Sequence, residues 1–532
     1  MRPPAARGQR PRGIRAANAS GLVAVLARSE CQEHITECHV VITFRIPVAP
    51  LCVAPRTNSS AIRPSSRLAS PAPHRSRCSR GIIHGLLILF LAGAALLALP
   101  SRQAAQTPLT AFWDLTSEDS RRVEAAERLI EEGWDDANAS ILVELMRYAP
   151  DRRSLRRITS LLERGTGQNL EPHLEGWWEW VWRTNPGTHP QYADFKAELY
   201  SLIDPSFGEY FNNSPAATIR LDEIRWGGVV RDGIPPLDHP KMIPGEEADY
   251  LDDDNVVFGV ALDGDARAYP RRILAWHEMF KDSIAGEHHT GVYCTLCGTM
   301  ILYRSAFGGV HHELGTSGFL YRSNKLMYDR ATMSLWSTFA GEPAVGPLVG
   351  QGIRLDMRHV VTTTWGEWRR RHPGTVVLSL DTGHERDYRE GAAYRSYFAT
   401  DRLMFGVPRL DPRLRNKDEV LALRFDDAPG EQLAIRVGFL AGNRVYHDAL
   451  GEVEFVVLTD RSGASRVYES AGYRFTRWDA ASTAWDEGGS RWIVGEDALV
   501  GPAGERLERL PAHRAFWFGW YAQYPETRLV RR

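Results

Sequence analysis

Two stretches of this chain repeat each other, and the repetition constrains the fold more than any other feature. Residues 334–350 and 362–377 read SLWSTFAGEPAVGPLVG and TTTWGEWRRRHPGTVV, while residues 482–501 and 515–530 read STAWDEGGSRWIVGEDALVG and AFWFGWYAQYPETRLV. Trp336 corresponds to Trp485, and Trp365, Trp368, Pro373 and Thr375 correspond to Trp517, Trp520, Pro525 and Thr527. Two tryptophans three residues apart share one face of a short helix, and the run after each proline has strand composition. Upstream, VVFGVAL (256–262) has a weaker counterpart in VLALRF (420–425), and MILYRS (300–305) in SRVYES (465–470). The expected architecture is therefore two related β-rich units, about 250–400 and 415–532, packed as a pseudo-symmetric pair with tryptophans buried between sheet and helix.

The rest of the chain divides by composition. Residues 107–211 carry helical periodicity, with helices expected from a Thr116 cap to Gly133 and near 136–148, 152–164, 172–183 and 190–203. Such paired short helices resemble a small helical-repeat bundle. Trp177, Trp178, Trp180 and Trp182 stack on one of them, and interior or interdomain packing is the expectation for this cluster. A Pro/Gly-containing stretch, 212–249, reads as a linker. The fold class is α+β: a helical domain followed by two related β-rich units from an internal duplication.

The formal net charge of −2 is an average over unlike parts. Residues 1–105 hold 14 Arg and 3 Glu, leaving 50 Lys and Arg against 63 Asp and Glu in 106–532. An acidic body of ordinary composition excludes collagen, coiled coil and nucleic-acid-binding classes. Residues 1–81 read as a disordered or spurious extension, since no Met lies between Met1 and Met146 and the chain has five Lys against 59 Arg, a sign of GC-rich coding DNA. The apolar run Ile82–Leu99, behind Arg75, Arg77 and Arg80, reads as a signal peptide or an uncleaved anchor within 82–105. It is the one expected membrane contact, and it places the body in an extracytoplasmic compartment, periplasmic or secreted.

Chemistry is expected where the two units differ. The first contains YCTLCG (293–298), with Cys294 and Cys297, and upstream His277 and Glu278; the second has VVLTDRSG (456–463) at the comparable place, without cysteine. A C-x-x-C-G turn between strands suits a metal knuckle, with Gly298 supplying a positive φ. Its remaining ligands would be His277 and Glu278, then His288, His289, His311 or His312, and the metal a borderline or soft ion such as zinc or copper. Two thiols this close equally suit a structural disulfide in an oxidising compartment, and a redox pair is the third reading. A second constellation, Ser317, Arg322, Asn324, Tyr328, Asp329, Arg330 and Trp336, suits either an unidentified small ligand or an internal Asp/Arg network pinning a hairpin.

WHE, YCxLCG, SGxLYxSNxxMYDRxTxSLW and the TW-x-x-W-x-x-x-HP element together resemble a bacterial exported family known only as a domain of unknown function (three-one-seven-nine), over roughly 235–532. The resemblance implies export behind a signal peptide and no assigned reaction. Its pattern falls on His277, Glu278, Cys294, Cys297, Gly298, Ser317, Gly318, Asn324, Tyr328, Asp329, Arg330 and Trp336, with His311 and His312 standing where aliphatic residues are expected.

Overall fold

The computed structural model describes residues 106–532. The apolar run 82–99 and the four early cysteines lie outside the described residues, and among the described ones no helix is long and apolar enough to cross a membrane. The described residues are α+β, with a run of helices first and, after it, seven small sheets with further short helices among them.

Five helices, Ser120–Glu132, Ala139–Arg147, Arg152–Thr166, Leu174–Thr184 and Tyr192–Ser201, lie close to the expected spans, and a sixth, Leu109–Asp114, precedes them where none was expected. The helix expected to start at Thr116 is capped instead by Asp119, whose carboxylate accepts from Arg121 N; an aspartate accepts from the exposed first-turn N–H more strongly than a threonine set further out. The four tryptophans of Leu174–Thr184 are buried as packing residues. These helices share one core with the sheet ordered 224–226, 314–321, 324–329, 335–337, 342–345. Phe319 is the wedge, its ring 4.9 Å from Tyr200 and 4.8 Å from Phe207. The stretch 212–249 is not a linker: Ile224–Trp226, Leu237–Asp238 and Met242–Pro244 are edge strands of three different sheets. Two- and three-residue strands are too short to display a period, which is why composition alone concealed them.

The tryptophan helices hang on two sheets of the same construction. In one, Val361–Thr364, Val256–Leu262, Asp265–Pro270 and Val376–Leu378 are neighbours in that order, with Met242–Pro244 added at the edge. In the other the order is Ala512–Phe516, Glu419–Leu423, Leu433–Arg436 and Arg528–Val530. Both run antiparallel, antiparallel, parallel. In each, the first strand feeds a helix, Trp365–Arg371 or Trp517–Gln523, whose second tryptophan donates from Nε1 to a threonine hydroxyl at 2.9 Å: Trp368 to Thr375 and Trp520 to Thr527. Each sheet is accompanied by a three-stranded meander, 279–284, 287–294 and 299–304 in one unit and 445–450, 453–459 and 465–469 in the other.

Contacts between the units are reciprocal. The turn after Glu287–Cys294 packs on the start of the helix Trp517–Gln523, where Phe516 N donates to Cys297 O at 2.7 Å. The corresponding turn after Val453–Thr459 packs beside the helix Trp365–Arg371, through Ser462 and Thr363 hydroxyls 3.1 Å apart and through Ala464 against Trp365 and Trp368. Each turn thus seals the other unit's tryptophan helix.

Candidate functional site

Cys294 ends one strand, Thr299 begins the next, and Gly298 closes the turn between them at φ +62, the conformation its lack of a Cβ permits. A strand follows the cysteines, so neither thiol sits at a helix N-terminus. Both are free thiols and both are buried. Cys297 Sγ donates to Ser323 O at 3.2 Å, with Cys294 Sγ 4.0 Å from the same carbonyl. Helix Trp517–Gln523 lies so close that a Cβ on Gly519 would stand 2.9 Å from Cys297 Sγ.

The polar wall comes from two sides. Glu278 is buried, and its Oε1 accepts from Thr295 Oγ1 at 2.8 Å and from Tyr394 OH at 3.3 Å. Its Oε2 lies 2.7 Å from Lys325 Nζ in a buried ion pair. Asn324 is buried too; its Nδ2 has no hydrogen-bond partner among the described residues, yet it lies near enough to Cys297 to favour a thiolate there. Burial acts to raise both thiols. At Cys294 burial and the nearby Glu278 carboxylate, which also raises it, are outweighed by the Cys297 thiol, which can turn its one proton from Ser323 O to an ionised Cys294, and by the backbone N–H groups of Lys325 and Cys297, and the net shift is downward. Cys297 is pushed well above its usual range by burial and by Cys294. The geometry therefore favours Cys294 as the thiolate and Cys297 as the holder of the remaining proton.

Backbone strain collects here. Glu278 (φ +57), Arg322 (+48), Ser323 (+64) and Tyr394 (+54) all occupy the left-handed region that non-glycine residues avoid, and all four border the thiols or their polar wall. Arg322 and Ser323 form the two-residue turn of the hairpin 314–321 and 324–329, which aims the Ser323 carbonyl at the cysteines. Arg322 is pinned by Glu223 and by Ala522 O, at 2.8 Å, so the turn is held from both the helical region and the second unit.

The quartet Cys294, Cys297, His277 and Glu278 does not converge as a ligand set. His277 ends a helix and Glu278, in left-handed backbone, turns the chain, so the two side chains point apart. The His277 ring is fully engaged: Nδ1–H donates to Pro235 O at 2.9 Å, and Nε2 accepts from Tyr388 OH at 2.5 Å. Burial pushes it down to about 4, which keeps it neutral. Among the described residues no group of three or more His, Cys, Asp and Glu side chains is placed to hold a metal ion. The His288 and His311 rings lie 5.0 Å apart, tilted at 58°, and His312 Nδ1 pairs with Asp329 at 2.9 Å.

Of the second constellation only Asn324 and the Arg322 turn reach the thiols. Ser317 Oγ donates to Leu326 O at 2.6 Å, Tyr328 OH to Asp232 at 2.6 Å, and Arg330 pairs with Asp232 at 2.9 Å. Asp329 accepts from Ala331 N and Thr332 N, and Trp336 is buried against His312. Ser317, Tyr328, Asp329 and Arg330 thus pair with backbone groups and with Asp232 and pin the hairpin, while Arg330 Nε and Trp336 Nε1 have no hydrogen-bond partner among the described residues. Site residues that sequence reasoning missed are Thr295, Ser323 and Lys325, which sit inside the motifs, and Tyr388, Tyr394 and Gly519, for which no periodic or spacing signal existed.

At the corresponding turn of the second unit, Asp460 accepts from Ser462 N and Ala464 N and pairs with the buried Arg466 at 3.1 Å. Arg466, Arg509 and Arg371 all pair with Glu496. That turn is held by ion pairs and hydrogen bonds centred on Asp460, without thiols.

The family described as protein of unknown function (DUF3179) matches residues 231–527, and the chain belongs to it. The match takes in the thiol turn, the strained hairpin and both tryptophan helices. Comparison with curated proteins and with solved structures gives no match.

Proposed function

We propose that Cys294 and Cys297 form a thiol–disulfide redox centre in an exported protein, carried on the first of two units related by internal duplication. Two free, buried thiols separated by two residues, walled by the buried Glu278–Lys325 ion pair and an unpartnered Asn324 amide, carry the reading; the left-handed Arg322 and Ser323 are the pair a two-residue hairpin turn requires and aim the Ser323 carbonyl at them. The equivalent turn in the second unit keeps its shape with Asp460 and Arg466, so the turn itself does not demand thiols.

The co-reactant is a disulfide in a partner molecule. The Cys294 thiolate attacks one of its sulfurs, forming a mixed disulfide and releasing the other sulfur as a thiolate. Cys297 then passes its proton to the Glu278 carboxylate and attacks Cys294 Sγ, expelling the second partner sulfur. Two electrons move to the partner, whose two sulfurs take up the proton Cys294 released to solvent on ionising and the proton Cys297 passed to Glu278, leaving a dithiol there and one disulfide here. Asn324 Nδ2 stands ready to donate to the transient Cys297 thiolate. Access requires the long segment after Leu378 to lift, since Tyr394 meets Glu278 and Tyr397 OH donates to Leu296 O at 2.8 Å.

Equilibration in glutathione buffers of graded ratio, followed by alkylation and mass measurement of the peptide bearing both cysteines, tests this. A reversible disulfide within the peptide supports the reading, and Glu278→Gln slows its formation. Two thiols that stay reduced at every ratio, or zinc or copper bound stoichiometrically through them, overturn it.

A further inference from the structure

We propose that the outer face of Phe398–Arg415, together with the arginine-lined depression beside it, docks on an anionic phospholipid bilayer; the proposal is independent of the thiol chemistry. The segment lies along the start of the helix Trp517–Gln523. Phe398 packs on Phe516 with ring centroids 6.3 Å apart, Trp517 Nε1 donates to Asp411 O at 3.1 Å, and Phe518 N donates to Asn416 O at 3.0 Å. These contacts fix the inner side as well as the outer one.

On the outer side, Phe398, Met404 and Leu410 remain 38, 37 and 53% exposed. They alternate with exposed Arg402, Arg409, Arg413 and Arg415. From Arg395 to Asp418 the chain has six basic and three acidic residues, against the acidic excess of residues 106–532. The three acids are occupied: Asp401 accepts from Asn416 N and Lys417 N, Asp411 holds Arg413, and Asp418 holds Arg415. Next to them Arg413, Arg415, Arg436, Arg531 and Arg532 line an open depression of about 440 Å³, in which Asp418 is the one acidic lining residue among the described residues.

Large apolar tips set between arginines are ill matched to water and to a soluble polyanion, which would answer the charges and leave the tips exposed. A bilayer interface answers both: the tips enter the acyl boundary while guanidinium groups fork onto headgroup phosphates. Charge complementarity favours an anionic surface over a zwitterionic one. The sequence by itself offered only the run 82–99 for membrane contact; this face is a second and separate one.

The test is hydrogen–deuterium exchange on the full chain with vesicles of mixed phosphatidylglycerol and phosphatidylcholine, and with phosphatidylcholine alone. Protection of 398–415 on the mixed vesicles only, fading as salt is raised, is expected. Partitioning of Arg402→Gln/Arg409→Gln should fall on the order of thirtyfold, and Met404→Ser/Leu410→Ser should weaken binding while keeping its salt dependence. Unchanged circular dichroism confirms that these surface variants are folded. No protection of 398–415, equal protection on both vesicle types, or equal protection by heparin overturns the proposal.

Discussion

Replacing Lys325 by Met isolates the buried ion pair on which the thiol site rests. Lys325 Nζ and Glu278 Oε2 are 2.7 Å apart, with side chains only 6 and 8% exposed. Taking away the ammonium leaves a buried carboxylate with two hydroxyl donors, Thr295 and Tyr394, and no counter-charge. Breaking a buried pair from one side costs about 3–5 kcal/mol, because the surviving charge keeps its desolvation penalty. Lys325→Met should therefore lower stability by that amount, read as a shift of the urea midpoint followed by tryptophan fluorescence. The double variant Glu278→Gln/Lys325→Met should recover most of the loss, since a neutral amide tolerates the same pocket. The uncompensated carboxylate also opposes thiolate formation, so alkylation at Cys294 should slow in the single variant and return in the double. A single variant within about 1 kcal/mol of the parent, or a double whose loss equals the sum of the two singles, would refute the coupling.

Two further outcomes follow from the same geometry. Because burial holds His277 near a pKa of about 4, below its ordinary 6.5, the unfolded chain takes up a proton between those values that the folded chain refuses. Stability should fall by about 3 kcal/mol from this group as pH drops through that window, and His277→Gln should flatten the profile there; an unchanged slope would show that the ring is not held neutral. Gly519→Ala places a Cβ 2.9 Å from Cys297 Sγ and 3.0 Å from its Cβ. The overpacking of about 1–3 kcal/mol should outweigh a helix-propensity gain of about 1 kcal/mol, whereas a stabilised variant would mean that the helix stands further from the thiols.

Local chemistry made some elements readable. The strand Val256–Leu262, the glycine-closed turn at Cys294–Gly298 and the two Trp-x-x-Trp helices each combine a period with a turn residue, and each stands where that pattern points. The site was only half readable because its partners come from distant chain. His277 and Glu278 look like one motif, yet the left-handed Glu278 sends them to different surroundings. The polar set around 317–336 looks like a binding surface until Asp232 and Glu223, about a hundred residues upstream, are seen to neutralise it. Tyr388 and Tyr394 reach the site from a long stretch with almost no regular structure, which no periodicity could forecast.

The mass of the Cys294–Cys297 peptide, measured after oxidation and re-reduction of the intact chain, decides whether the two thiols form a reversible redox pair. Loss of two hydrogens on exposure to oxidised glutathione, restored by dithiothreitol and slowed by Glu278→Gln, is the predicted result. A peptide that keeps both hydrogens throughout, while the chain remains folded, would contradict it.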